Sequence, residues 1–179
     1  MPEFFGALAT TLVVFLAPFL LLRLEGVKTA KRARLELSLP SEWKPRRTIT
    51  LAASMFTQIL LALFALGFAL YFLGALDSWR IVQLIREQSL SVLLLAVFFA
   101  PIAEELFFRG YLQKKTGVVL SSLLFAGLHY GYGSVSEIAG AFLASIILGY
   151  GMLKFNDLRA CVLAHACYNA LSIWVAFAL

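Results

Sequence analysis

The stretch Ala100-Pro101-Ile102-Ala103-Glu104-Glu105-Leu106-Phe107-Phe108-Arg109-Gly110 decides how this chain is read. It closes an apolar run that carries no charge from Leu90 to Ala103, so two carboxylates and a guanidinium stand inside or at the edge of a membrane-length segment. Ionisable groups in such a place are costly, and by default they mark function. On a helix Glu105 and Arg109 are one turn apart and share a face, whereas Glu104 is turned away by about 100°. The spacing predicts that Glu105 pairs with Arg109 and that Glu104 finds its partner on another helix.

The rest of the chain has the same character. Of its 179 residues 61% are hydrophobic and 14% charged, against about 45–50% apolar and 25% charged in a soluble domain. This predicts an integral membrane protein of the all-α class, a polytopic helix bundle of about six transmembrane helices at roughly 20 residues each. Apolar runs cover residues 4–22, 49–76, 90–112, 118–132, 138–155 and 160–179. Prolines at Pro18 and Pro101 interrupt the first and third, where kinks are expected. The division that follows is an N-terminal anchor with a basic loop (1–47), a second helix with an outer loop (48–89) and a four-helix core (90–179). No Lys or Arg precedes Arg23, so the first run lacks the positive region of a secretory signal and reads as a retained anchor.

The net charge is +5, and thirteen of the 15 basic residues fall in three alternate loops, 23–47, 109–115 and 154–159. Only Arg80 and Arg86 lie between them on the opposite side. By the positive-inside rule the three loops are cytoplasmic and both termini outside, in a plasma (inner) membrane. Orientation accounts for the positive charge, and nucleic acid is not an expected partner; the lipid bilayer is. Trp79, Tyr130, Tyr132 and Trp174 then fall near the outer interface and Trp43 near the inner one. Loop 23–47 reads either as an amphipathic stretch with Leu35, Leu37, Leu39 and Trp43 dipping into anionic lipid or as an unstructured basic loop. Small residues at helix-packing spacing (Gly127 and Gly131, Gly140 and Ala144, Ala141 and Ser145, with Gly149 nearby) predict close helix contacts. Cys161 and Cys167, six apart in one run, cannot bridge within a helix and read as buried packing thiols.

The chain has two histidines, each inside an apolar run. His129 follows Phe125 by four residues, and His165 precedes Asn169 by four, so each pair shares a helix face. A polar group in hydrocarbon needs a partner, and Glu104, His129, His165 and Asn169 are the groups at hand. Glu104-Glu105-x-x-x-Arg109, Phe125-x-x-x-His129 and His165-x-x-x-Asn169, in that order on successive apolar segments, resemble the three-motif signature of the CPBP (ABI) intramembrane proteases, a family that includes the CAAX prenyl endopeptidases. The similarity covers about residues 90–172.

The resemblance implies an intramembrane endopeptidase acting on a membrane-associated peptide or protein substrate, such as a prenylated or C-terminal tail or a leader or sorting peptide. It makes Glu104 the general base, with His129, His165 and Asn169 completing the catalytic site and Glu105, Arg109 and Phe125 supporting it. Family members are described as metalloproteases or as glutamate-dependent proteases. Glu104, His129 and His165 would be the ligand set for a divalent metal such as zinc, and water activation by Glu104 without a tightly bound metal is the favoured expectation. Two other classes account for intramembrane charges: a proton or solute pathway, and a non-catalytic membrane scaffold. The pathway reading lacks the internal repeats of many transporters, and the scaffold reading leaves the complete motif set without a purpose.

Overall fold

The computed structural model describes residues 2–39, 42 and 44–178, and every regular element among them is helical. Helices α1 (Pro2–Leu24), α2 (Ala30–Glu36), α3 (Pro45–Phe72), α4 (Trp79–Glu87), α5 (Leu90–Phe98) and α6 (Ala100–Glu105) lead into a π-helical segment, Leu106–Leu112. Then come α7 (Gln113–Leu128), a 3₁₀ turn (His129–Tyr132), α8 (Val135–Phe155) and α9 (Leu158–Ala178). Among the described residues five helical runs are long and apolar enough to cross a membrane: Glu3–Leu24, Pro45–Phe72, Leu90–Tyr132, Val135–Phe155 and Leu158–Ala178. The chain is an integral membrane protein, a polytopic helix bundle.

The third run is 43 residues long, about 65 Å if straight, twice the roughly 30 Å hydrocarbon core of a bilayer. It is not straight. Gly117 has φ 80° and ψ 171°, a backbone open to glycine but not to other residues, and the chain doubles back there. The Phe125 ring returns to within 5.1 Å of Phe108, and the Ser121 hydroxyl donates to the Phe108 carbonyl at 3.2 Å. Along one helix Phe108 and Phe125 would stand about 25 Å apart. The apolar run expected at 118–132 is therefore the returning arm of a hairpin.

The prolines act differently from expectation. α1 runs unbroken through Pro18, which is buried against the bundle. In the third run the break falls at Phe99 (φ −106°, ψ −41°), and Pro101 sits in the first turn of α6, where its missing N–H gives up no hydrogen bond. Leu106–Leu112 then winds as a π helix, a form that recurs at functional sites and that the apolar pattern does not signal.

α3, α8, α9 and the π segment meet at a core of Met55, Ile59, Leu106, Leu148, Met152, Leu158 and Cys161. In lipid such packing depends on close backbone approach, and Gly149 supplies it: a Cβ there would stand 2.7 Å from Val118 Cγ1 and 2.9 Å from Gln113 Oε1. Gln113 donates to the Gly149 carbonyl across the same gap at 3.0 Å. Gly127 and Gly131, expected to pack in the same way, have nothing within 4 Å of where a Cβ would stand. Cys161 is buried as expected, but Cys167 is exposed on the outer side of α9.

The three basic loops lie together at one end of the bundle. Lys115 pairs with Glu25 at 2.8 Å and, with the Tyr111 hydroxyl, holds its carboxyl below the ordinary range. Thr48 donates to Asp157 at 2.8 Å, and Arg47 to the Phe155 carbonyl at 3.1 Å. Loop 23–47 is partly helical, with Thr29 capping α2. Leu37 does not dip into lipid: it is fully buried, with its carbonyl 3.3 Å from a Cβ position on Gly110. Leu39 packs on the core, Leu35 is exposed, and Trp43 lies outside the described residues.

At the opposite end the segment expected as an outer loop contains α4, and Trp79, Tyr130, Tyr132 and Trp174 are exposed. Asp77 organises this end by capping α8 from another part of the chain. It accepts from the Ser134 hydroxyl and from the Val135 and Ser136 N–H groups, each at 2.9 Å, and Ser136, through its side chain and its N–H, followed by Val135 and Ser134, pulls its carboxyl pKa well below the usual value. A group whose folded pKa is lowered stabilises fully above its unfolded pKa, about 4, and loses that contribution as the pH falls from there. Asp77→Ala should cost about 1–2 kcal/mol near neutral pH, with a smaller deficit below about pH 4. Thermal unfolding of both forms in detergent across that range checks it.

Candidate active site

Each candidate side chain is placed by a local feature. α6 carries the acid pair into the bundle, the π segment carries Arg109, the returning arm carries Phe125 and His129, and α9 carries His165 and Asn169. Glu105 is fully buried, and its Oε2 lies 3.0 Å from Arg109 Nε, the pairing expected from their spacing. Its other oxygen has a partner the spacing does not reveal. His165 Nδ1 stands 2.9 Å from Glu105 Oε1, so Nδ1–H donates to the carboxylate and Nε2 is left facing outward. A carboxylate behind a histidine in this way holds the ring's tautomer and orientation.

His165 Nε2 points at Glu104, 3.7 Å from its Oε2. That is too long for a direct hydrogen bond, and it is a separation at which one water beside the pair can touch both. The two acids differ sharply in access, since the Glu104 side chain is 27% exposed and that of Glu105 0%. Glu104 can meet water and substrate; Glu105 cannot. The partner expected for Glu104 on another helix is His165.

Phe125 is the common platform. Its ring lies 4.7 Å from the Arg109 guanidinium, 4.9 Å from the His129 ring and 5.9 Å from the His165 ring. The stacked guanidinium is 1% exposed, and none of its three nitrogens makes a hydrogen bond among the described residues, so the ion pair with Glu105 and the aromatic face together compensate its charge. The Phe125 carbonyl accepts from His129 Nδ1 at 3.0 Å, which leaves Nε2 of that ring to act. Asn169 donates to the Ala96 carbonyl at 2.9 Å, in the last turn of α5 where carbonyls lack helical partners. It therefore anchors α5 to α9 with one amide hydrogen and keeps the other.

His129, His165 and Asn169 line one cavity of about 40 Å³, room for a water molecule or two. The proposed metal ligands do not form a set. Among the described residues no three His, Cys, Asp or Glu side chains stand close enough to hold one ion, and His129 turns Nδ1 to its own helix. Sequence reasoning missed Glu137, which lines the same cavity. Its only signal, Ser134-x-x-Glu137 before an apolar run, reads as a helix cap.

All of these motif residues fall in a segment with known relatives. Residues 86–171 match the type II CAAX prenyl endopeptidase Rce1-like family. The match bears out the resemblance drawn from the three motifs, and the Rce1-like segment contains every motif residue from Glu104 to Asn169. An uncharacterized protein of Mycoplasma capricolum subsp. capricolum is 32% identical over 90 residues, 45% of this chain and 26% of that protein. The chain thus spans about a quarter of the length of the curated relative it matches. No solved structure matches the chain.

Arg109→Ala should reduce the amount of folded protein in the membrane, because it leaves the fully buried Glu105 with an uncompensated charge, a loss of about 3–5 kcal/mol. Quantitative immunoblotting of membranes, with detergent melting curves, reads it. A variant as stable as wild type would break the assigned pairing.

Proposed function

We propose that this chain is an intramembrane endopeptidase in which Glu104 activates water against a peptide bond of a membrane-associated substrate. The observation that carries the reading is the pairing of the accessible Glu104 with His165 Nε2 at 3.7 Å, inside the Rce1-like segment. Glu104 takes a proton from water as the oxygen attacks the carbonyl carbon, then returns it to the departing amine when the carbon–nitrogen bond breaks. His165, its ring held by Glu105, presents Nε2 beside Glu104 as an acceptor for the attacking water. The second amide hydrogen of Asn169 serves the tetrahedral oxyanion, while His129 Nε2, left without a proton by the Nδ1–H bond to the Phe125 carbonyl, serves as an acceptor at the edge of the site. In this reading no step is routed through a metal.

The basic end of the bundle then faces the cytoplasm from a plasma membrane, because three loops with thirteen of the 15 basic residues converge there. A lipid-attached tail or a membrane-embedded peptide is the substrate class that such a site suits, as the candidate residues are carried on apolar spans.

Glu104→Gln should abolish cleavage while leaving the protein in the membrane at wild-type level. His129→Ala and His165→Ala should lower the rate by roughly 10²–10⁴-fold, and a chelator should leave the wild-type rate unchanged. The deciding measurement compares peptide termini in membranes of cells carrying wild type or Glu104→Gln at matched levels. Termini found only with wild type support a protease. Identical termini, with the cellular phenotype kept by the variant, favour a scaffold.

A further inference from the structure

Glu137 has a place in the site but no structural task. It stands in the first turn of α8, and its Ser134-x-x-Glu137 spacing would let its carboxylate close a capping box on that helix. The box is only half made: the Ser134 hydroxyl accepts from Glu137 N–H at 3.1 Å, while the orphan N–H groups of Val135 and Ser136 go to Asp77. The Glu137 carboxylate makes no hydrogen bond and no ion pair among the described residues.

Glu137 lines a cavity among α3, α4, α8 and α9 that holds no catalytic candidate, and two further spaces that share lining residues with each other. One is the small cavity of His129, His165 and Asn169. The other, of about 370 Å³, lies between α4, α5 and α9 and shares Glu137, Tyr168 and Asn169 with the first. This larger space is apolar along Ile81, Ile85 and Val92, and Glu137 shares its lining with Tyr132 and Tyr168. A carboxylate in a wall that also carries tyrosine rings is chemistry that receives an ammonium or guanidinium group, and apolar walls suit the aliphatic stem behind such a head.

Among the described residues no basic side chain pairs with Glu137. The two basic side chains at this end are engaged elsewhere, Arg80 with the Gly133 carbonyl and the Trp79 ring, and Arg86 with the Ala176 carbonyl at 2.6 Å. An ionisable group inside a membrane protein calls for a partner, and a bound substrate can supply one.

We propose that Glu137 is a specificity residue, which binds a lysine or arginine side chain of the substrate at a fixed distance from the scissile bond. The inference rests on the protease reading above and adds the charge preference of its site.

The test uses the termini comparison with a third membrane sample, from cells carrying Glu137→Gln at matched level. Lysine or arginine should be enriched at one fixed position among the Glu104-dependent termini, and Glu137→Gln should remove that enrichment and slow these cleavages by about tenfold or more. A measurement on unaltered protein guards against a variant that does not fold: changing that basic residue of one cleaved substrate to methionine should slow cleavage by wild type to the same degree. Glu104-dependent termini with no basic enrichment, or with cleavage indifferent to the methionine change, overturn the role of Glu137 and leave the protease standing. An absence of Glu104-dependent termini overturns both.

Discussion

Glu105 is a carboxylate with no exposed surface, set in a protein whose surroundings are largely hydrocarbon. It is tolerable only because two groups on different elements converge on it, Arg109 from the π segment as an ion pair and His165 from α9 as a hydrogen-bond donor. Removing either partner would leave a charge at low dielectric, so the two elements are held in register by the penalty for separating them. Arg109 in turn lies over the Phe125 ring, which carries the constraint to the returning arm. Three stretches widely separated in the chain are thereby locked around one charge.

This arrangement separates holding from acting. Glu104 and Glu105 are chemically identical neighbours, yet the rotation of one residue on a helix puts one in the core and the other at a partly open site beside His165. A tightly bound acid can orient a ring, but it cannot also exchange protons with water. Glu104, with 27% of its side chain exposed and its nearest partner at 3.7 Å, keeps that freedom. The hairpin at Gly117 contributes the third side, since it returns Phe125 and His129 to the level of the acids.

The far end of the bundle shows the same contrast between a satisfied and an unsatisfied acid. Asp77 accepts three hydrogen bonds and caps α8, while Glu137, just beyond the last of those donors in the chain, accepts none among the described residues and faces the cavities. With the helix end already served, the second carboxylate is available for a ligand.

Much of this was legible in the residues themselves. Composition determines a membrane bundle, because no soluble fold can hide so much apolar surface, and the alternation of basic loops determines which loops share an end. The Glu105–Arg109 pair follows from helix geometry alone, as does the shared face of His165 and Asn169, because residues four apart on a helix meet whatever surrounds them. Tertiary structure decided what local geometry cannot carry: that Glu105 also holds His165, 60 positions away, that the run from Leu90 reverses at Gly117, that Leu37 turns into the core, and that Asn169 anchors α5. It also decided the fate of Glu137, since Ser134-x-x-Glu137 reads the same whether or not its carboxylate closes the cap. Only the arrival of Asp77, from a loop 57 residues before Ser134, turned that side chain from a helix end toward the site.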